Sequence, residues 1–290
     1  MSGTASVNRL KSQFVFAYTA LTGLIALGAI AALVTGGMDY GWLGALLAVL
    51  PFIGLYIRVV KARKITRTSR HLPILATISL AGLGLAAWDF WQGTRADWLP
   101  LLAAGLGALG FLLYDFWYSS FGRRVSDRLV VGQPLPAFTV EDTDGNPVPS
   151  SALLGQPTLF MFYRGNWCPF CMGQVREVAE QYKALDERGV SVAFISPQPT
   201  ELTERVARIF DIPYRFLVDR DLAAARTLGI VHEHGVPAGP LAREYGRDTV
   251  LPTVIITDPD GVLLFTDQTD NYRVRPDPAV FFRVLAAHGY

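Results

Sequence analysis

Cysteine and histidine are scarce in this chain. Of its 290 residues, two are cysteine and four are histidine. Two cysteines close at most one disulfide, which excludes a scaffold stapled by several bridges. Without a third cysteine, electrons carried by thiols have to enter and leave through a single pair.

Net charge is equally scarce, at a formal value of +1. A nucleic-acid-binding protein is usually strongly basic, so we expect no nucleic-acid partner. The basic residues instead cluster beside long apolar runs, a pattern typical of membrane topology.

Four apolar runs in the first 120 residues are each long enough for a bilayer, which takes roughly 20 residues. Trp and Tyr gather at their ends, as expected at membrane interfaces. A buried, soluble helical core is the alternative, but four such runs leave almost no polar face. The sequence therefore predicts an all-α transmembrane bundle in a lipid bilayer, acting as an anchor or as a partner-binding surface. The runs are Phe14–Thr35, Trp42–Val60, Leu72–Trp91 and Trp98–Tyr118.

The distribution of Lys and Arg among the short loops predicts the orientation. Three basic segments fall on one side of a four-span protein, and the other two loops hold Arg95 as their one basic residue. That side is expected to be cytoplasmic and to carry the C-terminal half, which makes the chain a multi-pass membrane protein. The basic residues are Arg9, Lys11, Arg58, Lys61, Arg63, Lys64, Arg67, Arg70, Arg123, Arg124 and Arg128.

Strand-like and helix-like segments alternate from Gln133 onward. The pattern predicts a mixed α/β sheet with helices on both faces. We divide the chain into a transmembrane region (1–122), a linker (123–132) and a globular domain (133–290). Its expected strands are Pro157–Tyr163, Val190–Ser196, Tyr214–Val218, Thr253–Thr257 and Val262–Phe265, and its expected helices are Cys168–Glu187, Thr200–Ile209 (capped by Thr200), Leu222–Leu228 and Ala279–Ala287.

The two cysteines lie three apart, in residues 164–171 (RGNWCPFC). A C-x-x-C pair where a strand runs into a helix indicates thiol–disulfide chemistry. Cys168 is expected at the helix N-terminus, where unpaired N–H groups stabilise a thiolate, with Cys171 one turn on to resolve a mixed disulfide. A zinc site with His232 and His234 is the competing interpretation. Proline and phenylalanine between the cysteines favour redox work, and the histidines are expected in an exposed loop, so we expect no cofactor or metal beyond the redox-active Cys168–Cys171 disulfide.

Three neighbours of the pair are predicted to support it. Pro169 suits the first helical turn, where its missing N–H is not needed. Trp167 is expected to pack beside the pair and restrict water. Arg164 has two interpretations, a positive charge near the sulfur or a solvated surface residue.

Four stretches of the second half carry a family resemblance: 131–138 (VGQPLPAF), 163–171 (YRGNWCPFC), 216–219 (FLVD), and 250–254 (VLPTV) with 258–261 (DPDG). Together they resemble the thioredoxin superfamily, and its peroxiredoxin-like branch (alkyl hydroperoxide reductase and thiol-specific antioxidant type) in particular. The resemblance implies a thioredoxin-like fold. It also implies that Pro252, followed by Thr253, is cis and faces the disulfide, with Leu251 offering backbone groups to a substrate; a trans proline opening a strand is the alternative.

The chain departs from that family's pattern at several positions. Met161 and Gly165 stand where true peroxiredoxins carry proline and a peroxide-holding hydroxyl. Phe162 stands where small thioredoxins carry a buried acid, and Arg247 is the nearest candidate for the family's active-site arginine.

The favoured hypothesis is a membrane-anchored thiol–disulfide oxidoreductase in which Cys168 attacks and Cys171 resolves. Its expected partners are a protein disulfide or a peroxide as substrate, and a thiol reductant such as thioredoxin or glutathione. One alternative is an atypical peroxiredoxin-like thiol peroxidase with antioxidant activity. The other is a non-enzymatic redox-sensing membrane protein.

Overall fold

The structure is a computed structural model that describes residues 3–60, 65–93 and 97–290. The chain forms two compact units. One is the four-helix region, and the other is Phe121–Tyr290 together with the short segment Ile65–Thr68 and the first residues of the chain.

Each predicted apolar run is a helix, and within the described residues four helices are long and apolar enough to cross a membrane. The first begins well before Phe14, and the last continues as a π-helical turn, Leu113–Tyr118. Among the basic residues of the orientation argument, Lys61, Arg63, Lys64 and Arg95 lie outside the described residues. The helices are α1 (Gly3–Gly36), α2 (Tyr40–Val60), α3 (Pro73–Gln92) and α4 (Leu99–Leu112).

Small residues let α2 and α3 pack backbone to backbone. A Cβ atom on Gly82 would lie 2.5 Å from the amide nitrogen of Ala48, and one on Gly44 would lie 2.6 Å from the carbonyl oxygen of Gly82. The hydroxyl of Ser79 donates to the Ala48 carbonyl at 2.6 Å. Close approach with an interhelical hydrogen bond is how helices associate in lipid, where apolar burial alone provides no driving force.

The other unit is a thioredoxin-like α/β fold built on a mixed sheet with helices on both faces. Its strands are β1 (Thr139–Glu141), β2 (Pro147–Pro149), β3 (Thr158–Phe162), β4 (Ser191–Ser196), β5 (Arg215–Val218), β6 (Val231–His232), β7 (Thr249–Val250), β8 (Thr253–Thr257) and β9 (Leu263–Asp267). Over the described residues the main sheet has the order β2-β1-β5-β4-β3-β8-β9, and β6 pairs with β7 in a second sheet. β3 pairs in parallel with β4 and antiparallel with β8. β3 is fully buried because it carries apolar residues on both sides, as a central strand between two helix layers requires.

The helices of this unit follow the predicted order with shifted ends. The expected helix Cys168–Glu187 is two helices, because the chain breaks from helical geometry at Gln181. Thr200 does not cap its helix; it is the first helical residue, after Pro199. The helices are α5 (Pro169–Glu180), α6 (Tyr182–Asp186), α7 (Thr200–Phe210), α8 (Ala223–Leu228), α9 (Pro240–Tyr245) and α10 (Pro278–Ala287).

Candidate functional site

The cysteine motif lies between the end of β3 and the start of α5. Cys168 is the residue before the first helical turn, with extended backbone (φ −91°, ψ 106°), and Pro169 is the first helical residue. The Cys168 carbonyl accepts from Met172 at 3.0 Å, so the helix begins at the nucleophile candidate. The Cys168 side chain therefore stands at a helix N-terminus, where the dipole favours a negative charge.

The two thiols are free and buried, at 2% and 1% exposure for Cys168 and Cys171. Burial by itself raises the pKa of Cys171, but the hydrogen bond from Cys168, the charges of Arg275 and Arg164 and a backbone hydrogen bond from Arg164 together lower it to about 6. The same inter-sulfur hydrogen bond, followed by burial, holds the pKa of Cys168 well above its ordinary value. The pair thus releases its first proton readily and its second with difficulty, which is the behaviour of one coupled acid.

Arg164 is buried at 5% exposure, which decides between its two sequence interpretations. Its guanidinium lies over the ring of Trp167 at 4.7 Å and that of Phe121 at 5.7 Å, and it donates to the Gly235 carbonyl. Such stacking fixes a planar cation while leaving its charge near the sulfurs.

Trp167 is held in place by its neighbours on both sides. Its ring makes an edge contact with Tyr245, with centroids 6.4 Å apart. Gly165 has a φ of +140°, and a Cβ there would meet the indole nitrogen at 2.7 Å. The glycine that replaces the family's hydroxyl residue is therefore required by the backbone and by the indole.

Gln198, which follows β4, joins the motif to its surroundings, and sequence reasoning missed it. Its side-chain oxygen accepts from the Asn166 amide at 2.7 Å, and its nitrogen donates to Tyr163 Oη at 3.2 Å and to Thr203 Oγ1 at 3.1 Å. The Tyr245 hydroxyl completes the network by donating to Asn166 at 2.7 Å. Burial holds the pKa of Tyr163 far above its ordinary value, so the phenol remains neutral and able to hydrogen-bond.

Pro252 directly precedes β8 and is trans, since every described peptide bond is trans. The cis geometry implied by the family resemblance is therefore wrong. Leu251 does not offer its backbone to a substrate either: its N–H donates to Ile230 at 2.7 Å and its carbonyl accepts from Thr253 Oγ1 at 2.8 Å.

Arg123, in the segment 123–132, hydrogen-bonds to the residues at the start of β8. Its guanidinium donates to the Pro252 carbonyl at 2.9 Å and to Thr253 Oγ1 at 2.8 Å. Burial, mainly, lowers the pKa of Arg123 to about 10. The sequence marked Arg123 as a basic residue of the orientation argument, and neither a motif nor the resemblance predicted its contact with this strand.

The histidines do not join the cysteines. His232 is a buried residue of β6 with its ring against Phe121 at 5.2 Å, so its predicted place in an exposed loop is wrong. Over the described residues, no group of three or more His, Cys, Asp or Glu side chains is arranged to hold a metal. Arg247 is exposed, and the cations beside the pair are Arg164 and Arg275.

The segment between β9 and α10 supplies Arg275, the second arginine, after Arg164, whose charge acts on the cysteines. Tyr272 packs edge-on against Phe170, between the two cysteines in sequence, with centroids 5.4 Å apart. Arg275 follows, 5% exposed, and donates to the carbonyls of Val274 and Asn271. No sequence motif marks Arg275; a basic residue shortly before the closing helix was the one signal.

Residues of Ile65–Thr68 also contact α5. Thr66 Oγ1 donates to Glu177 at 2.7 Å, and Arg67 pairs with Glu177 and with Asp277. The Thr68 amide donates to the Arg273 carbonyl at 3.0 Å. This segment thus bridges α5 and the start of α10.

Comparison with known proteins identifies the domain. The model of the AhpC/TSA family matches residues 131–266. The C-terminal domain is an AhpC/TSA domain. It is a peroxiredoxin-like thiol oxidoreductase of the thioredoxin superfamily, and four apolar helices that fit a membrane precede it.

Relatives of this AhpC/TSA domain carry two kinds of name. Thiol-disulfide oxidoreductase ResA of Bacillus cereus is 22% identical over 159 residues, which span 54% of this chain and 78% of that protein. Chloroplastic peroxiredoxin Q of Sedum lineare is 26% identical over 136 residues, 47% of this chain and 67% of that protein. Among solved structures, peroxidoxin BcpB of Mycobacterium tuberculosis aligns with a TM-score of 0.43 and 23% identity, over 54% of this chain and 94% of its own.

Proposed function

We propose that this protein is a membrane-anchored thiol–disulfide oxidoreductase in which Cys168 attacks and Cys171 resolves. The observation that carries the proposal is the position of Cys168 at the N-terminus of α5, where the helix dipole stabilises a thiolate, with Cys171 buried in the first turn of the same helix. A thiolate, and not a thiol, is the nucleophile in disulfide exchange.

The reaction follows from one proton shared by two sulfurs. Transfer of that proton from Cys168 to Cys171 leaves the thiolate at the helix N-terminus, where Cys168 attacks a substrate disulfide and releases one thiolate. The released thiolate takes the proton from Cys171, which then attacks the Cys168 sulfur and frees the second substrate thiolate. Two electrons pass from the pair to the substrate, and an external thiol such as thioredoxin or glutathione returns them.

The two cysteines are distinguished by their serine variants. Cys168→Ser is expected to abolish turnover of a disulfide substrate, because the attacking sulfur is gone. Cys171→Ser is expected to stop after the first attack and to accumulate a mixed disulfide, visible by mass spectrometry of the intact protein. Full activity of Cys168→Ser, or accumulation of the mixed disulfide in that variant instead, would contradict the assigned roles.

A peroxidase is the second candidate, favoured by the relationship to peroxiredoxin Q. In that case a peroxide oxidises the Cys168 thiolate to a sulfenic acid, and Cys171 displaces water to form the disulfide. Stopped-flow oxidation of the reduced protein by hydrogen peroxide decides between them: a rate no faster than that of a free thiol rules out the peroxidase.

A further inference from the structure

Three arginines from three different parts of the chain form a group that we call the arginine cluster: Arg123, Arg164 and Arg275. Arg164 precedes the motif, Arg275 follows the segment packed on Phe170, and Arg123 is fixed on Pro252 and Thr253. The charges of Arg164 and Arg275 act on both sulfurs, and Arg275 also repels Arg123. Arg164 and Arg275 therefore place positive charge beside both sulfurs.

Several donors of this cluster point at no partner. The Nε atoms of Arg123 and Arg164, and both Nε and Nη2 of Arg275, are buried without a hydrogen bond. In the part of the chain that the structure describes, neither Arg164 nor Arg275 forms a salt bridge. Arg123 is balanced in part by Asp267 and Asp270.

Buried donors are nearly always paired, and a buried guanidinium whose N–H groups lack an acceptor is costly to a fold. An anionic ligand explains both features at once. The group that fits a guanidinium fork is a carboxylate, which accepts two parallel N–H donors from one arginine.

We propose that Arg164 and Arg275 bind a carboxylate of the substrate and so select small, negatively charged disulfides. The proposal rests on the thiol–disulfide exchange proposed above and specifies its substrate class. Cysteines exposed by 2% and 1% are reached more easily by a small molecule than by a folded protein disulfide. With its carboxylate held by the arginines, the disulfide bond of such a molecule is placed against the Cys168 sulfur.

The chemistry is the exchange written above with R–S–S–R as the oxidant. Cys168 breaks the S–S bond, Cys171 closes the protein disulfide, and the substrate leaves as one thiol and one thiolate. The arginines take no part in bond making; they act as positioning residues for the carboxylate.

Three disulfides of similar length and different charge test the proposal: 3,3′-dithiodipropionate (anionic), bis(2-hydroxyethyl) disulfide (neutral) and cystamine (cationic). The full chain is reduced in detergent micelles, and its oxidation is followed by stopped-flow tryptophan fluorescence. Each rate is divided by that of dithiothreitol with the same disulfide, which removes intrinsic reactivity. We expect the normalised anionic rate to exceed the neutral rate by about tenfold or more, as a charge-assisted pair would give, with cystamine slowest.

Arg275→Gln is expected to collapse the anionic-to-neutral ratio toward one. A change in thiolate stability slows all three disulfides together and leaves the ratio unchanged, so the ratio isolates carboxylate binding. Arg275→Lys keeps the positive charge but loses the two parallel N–H donors. Its anionic-to-neutral ratio should therefore lie between those of the wild type and Arg275→Gln. The exposed Arg247→Gln is the matched control and should retain the wild-type ratio.

Competition on the wild-type protein gives a second measurement that needs no variant to fold. Succinate is expected to inhibit oxidation by dithiodipropionate and to spare oxidation by hydroxyethyl disulfide. Equal normalised rates for the three disulfides, or an unchanged ratio in folded Arg275→Gln, would overturn the carboxylate site while leaving the exchange reaction standing. Failure of every disulfide to oxidise the pair would instead reject the proposed function.

Discussion

At the scale of single residues, the chemistry depends on two sulfurs that share one proton. Because the Cys168 thiol hydrogen-bonds to Cys171 and two arginines act on both, the negative charge is spread over a site and not confined to one atom. A shared proton lets the thiolate appear at Cys168 at the moment of attack without leaving the pair fully protonated or fully ionised.

This coupling predicts the pH dependence of alkylation. With a first pKa of about 6 for Cys171, iodoacetamide labelling of the reduced full-length protein should rise through pH 6 and reach a plateau by about pH 7, with a second rise at a pH well above that of a free thiol, about 8.5. Mass spectrometry of the labelled protein reports both steps. In Cys171→Ser the inter-sulfur hydrogen bond that raises the pKa of Cys168 is lost, so a single titration should remain, at a pH below the second step of the wild type. A single wild-type titration near pH 8.5 would refute the coupled pair.

The lowered pKa of Cys171 also predicts how the stability of the reduced protein changes with pH. A thiol whose pKa is lowered on folding, from 9.0 to about 6 for Cys171, stabilises the folded protein fully above the unfolded value and loses that contribution as pH falls through 6. The raised pKa of Cys168 acts oppositely, above pH 9. The reduced form should therefore gain thermal stability relative to the oxidised form between pH 6 and pH 9, measured by scanning calorimetry of both forms.

At the scale of elements, one buried carboxylate organises the chain after β5. Asp219 is fully buried and accepts from the amides of Ala224 and Ala225, both at 2.8 Å. These amides belong to the first turn of α8, whose N–H groups have no partner within the helix. Asp219 thus satisfies the donors of a short helix that cannot be stable alone.

Removal of the Asp219 carboxylate is expected to lower the free energy of unfolding. Asp219→Ala is expected to destabilise the C-terminal unit by about 2 kcal/mol, since two buried amides lose their acceptor. Asp219→Asn retains one acceptor oxygen and should cost less. Asp144→Ala, in an exposed turn, is the control and should change the unfolding free energy by less than about 0.5 kcal/mol. Denaturant titration of the full chain in detergent measures each change, and equal stability of Asp219→Ala and Asp144→Ala would contradict the role.

Elements with a strong hydrophobic pattern could be predicted from the sequence, and those without such a pattern could not. The central strand β3 and the helix after the cysteines follow from a continuous apolar run and an amphipathic stripe. The hairpin of β1 and β2 was missed, although the turn at 142–146 (DTDGN) is a signal that was present. The two-residue strands β6 and β7 carry no period at all, and they exist because tertiary contacts pair them.

The residues of the candidate site divide in the same way, into those that a local sequence pattern predicted and those that it did not. Cys168, Pro169 and Trp167 are local to one motif, so spacing alone placed them. Arg275 and Gln198 come from distant segments that the fold brings to α5, and no local pattern encodes that approach. The expected cis proline failed for a different reason: it was carried over from the family, while here the Leu251 backbone is used by Ile230 and Thr253.

At the scale of the whole molecule, the chain combines a four-helix region whose spans contain no cysteine with an oxidoreductase domain that holds both. Membrane helices without thiols cannot relay electrons by disulfide exchange. In the proposed membrane-anchored protein, the electrons of Cys168 and Cys171 are therefore exchanged with molecules on the side of the membrane where the domain lies. Which side that is decides the direction of the reaction, because a reducing compartment favours the dithiol form.

The basic loops predict that the domain is cytoplasmic, and a chain whose native cysteines are replaced by serine allows a direct test. In a Cys168→Ser, Cys171→Ser background, Ser151→Cys places a thiol at an exposed position of the C-terminal domain, and Met38→Cys places one at 71% exposure between α1 and α2. A membrane-impermeant maleimide applied to intact cells should label Met38→Cys and not Ser151→Cys, while lysis should make both reactive. The reverse pattern would place the domain outside, where an oxidising environment keeps the pair as a disulfide and its role becomes that of an oxidant.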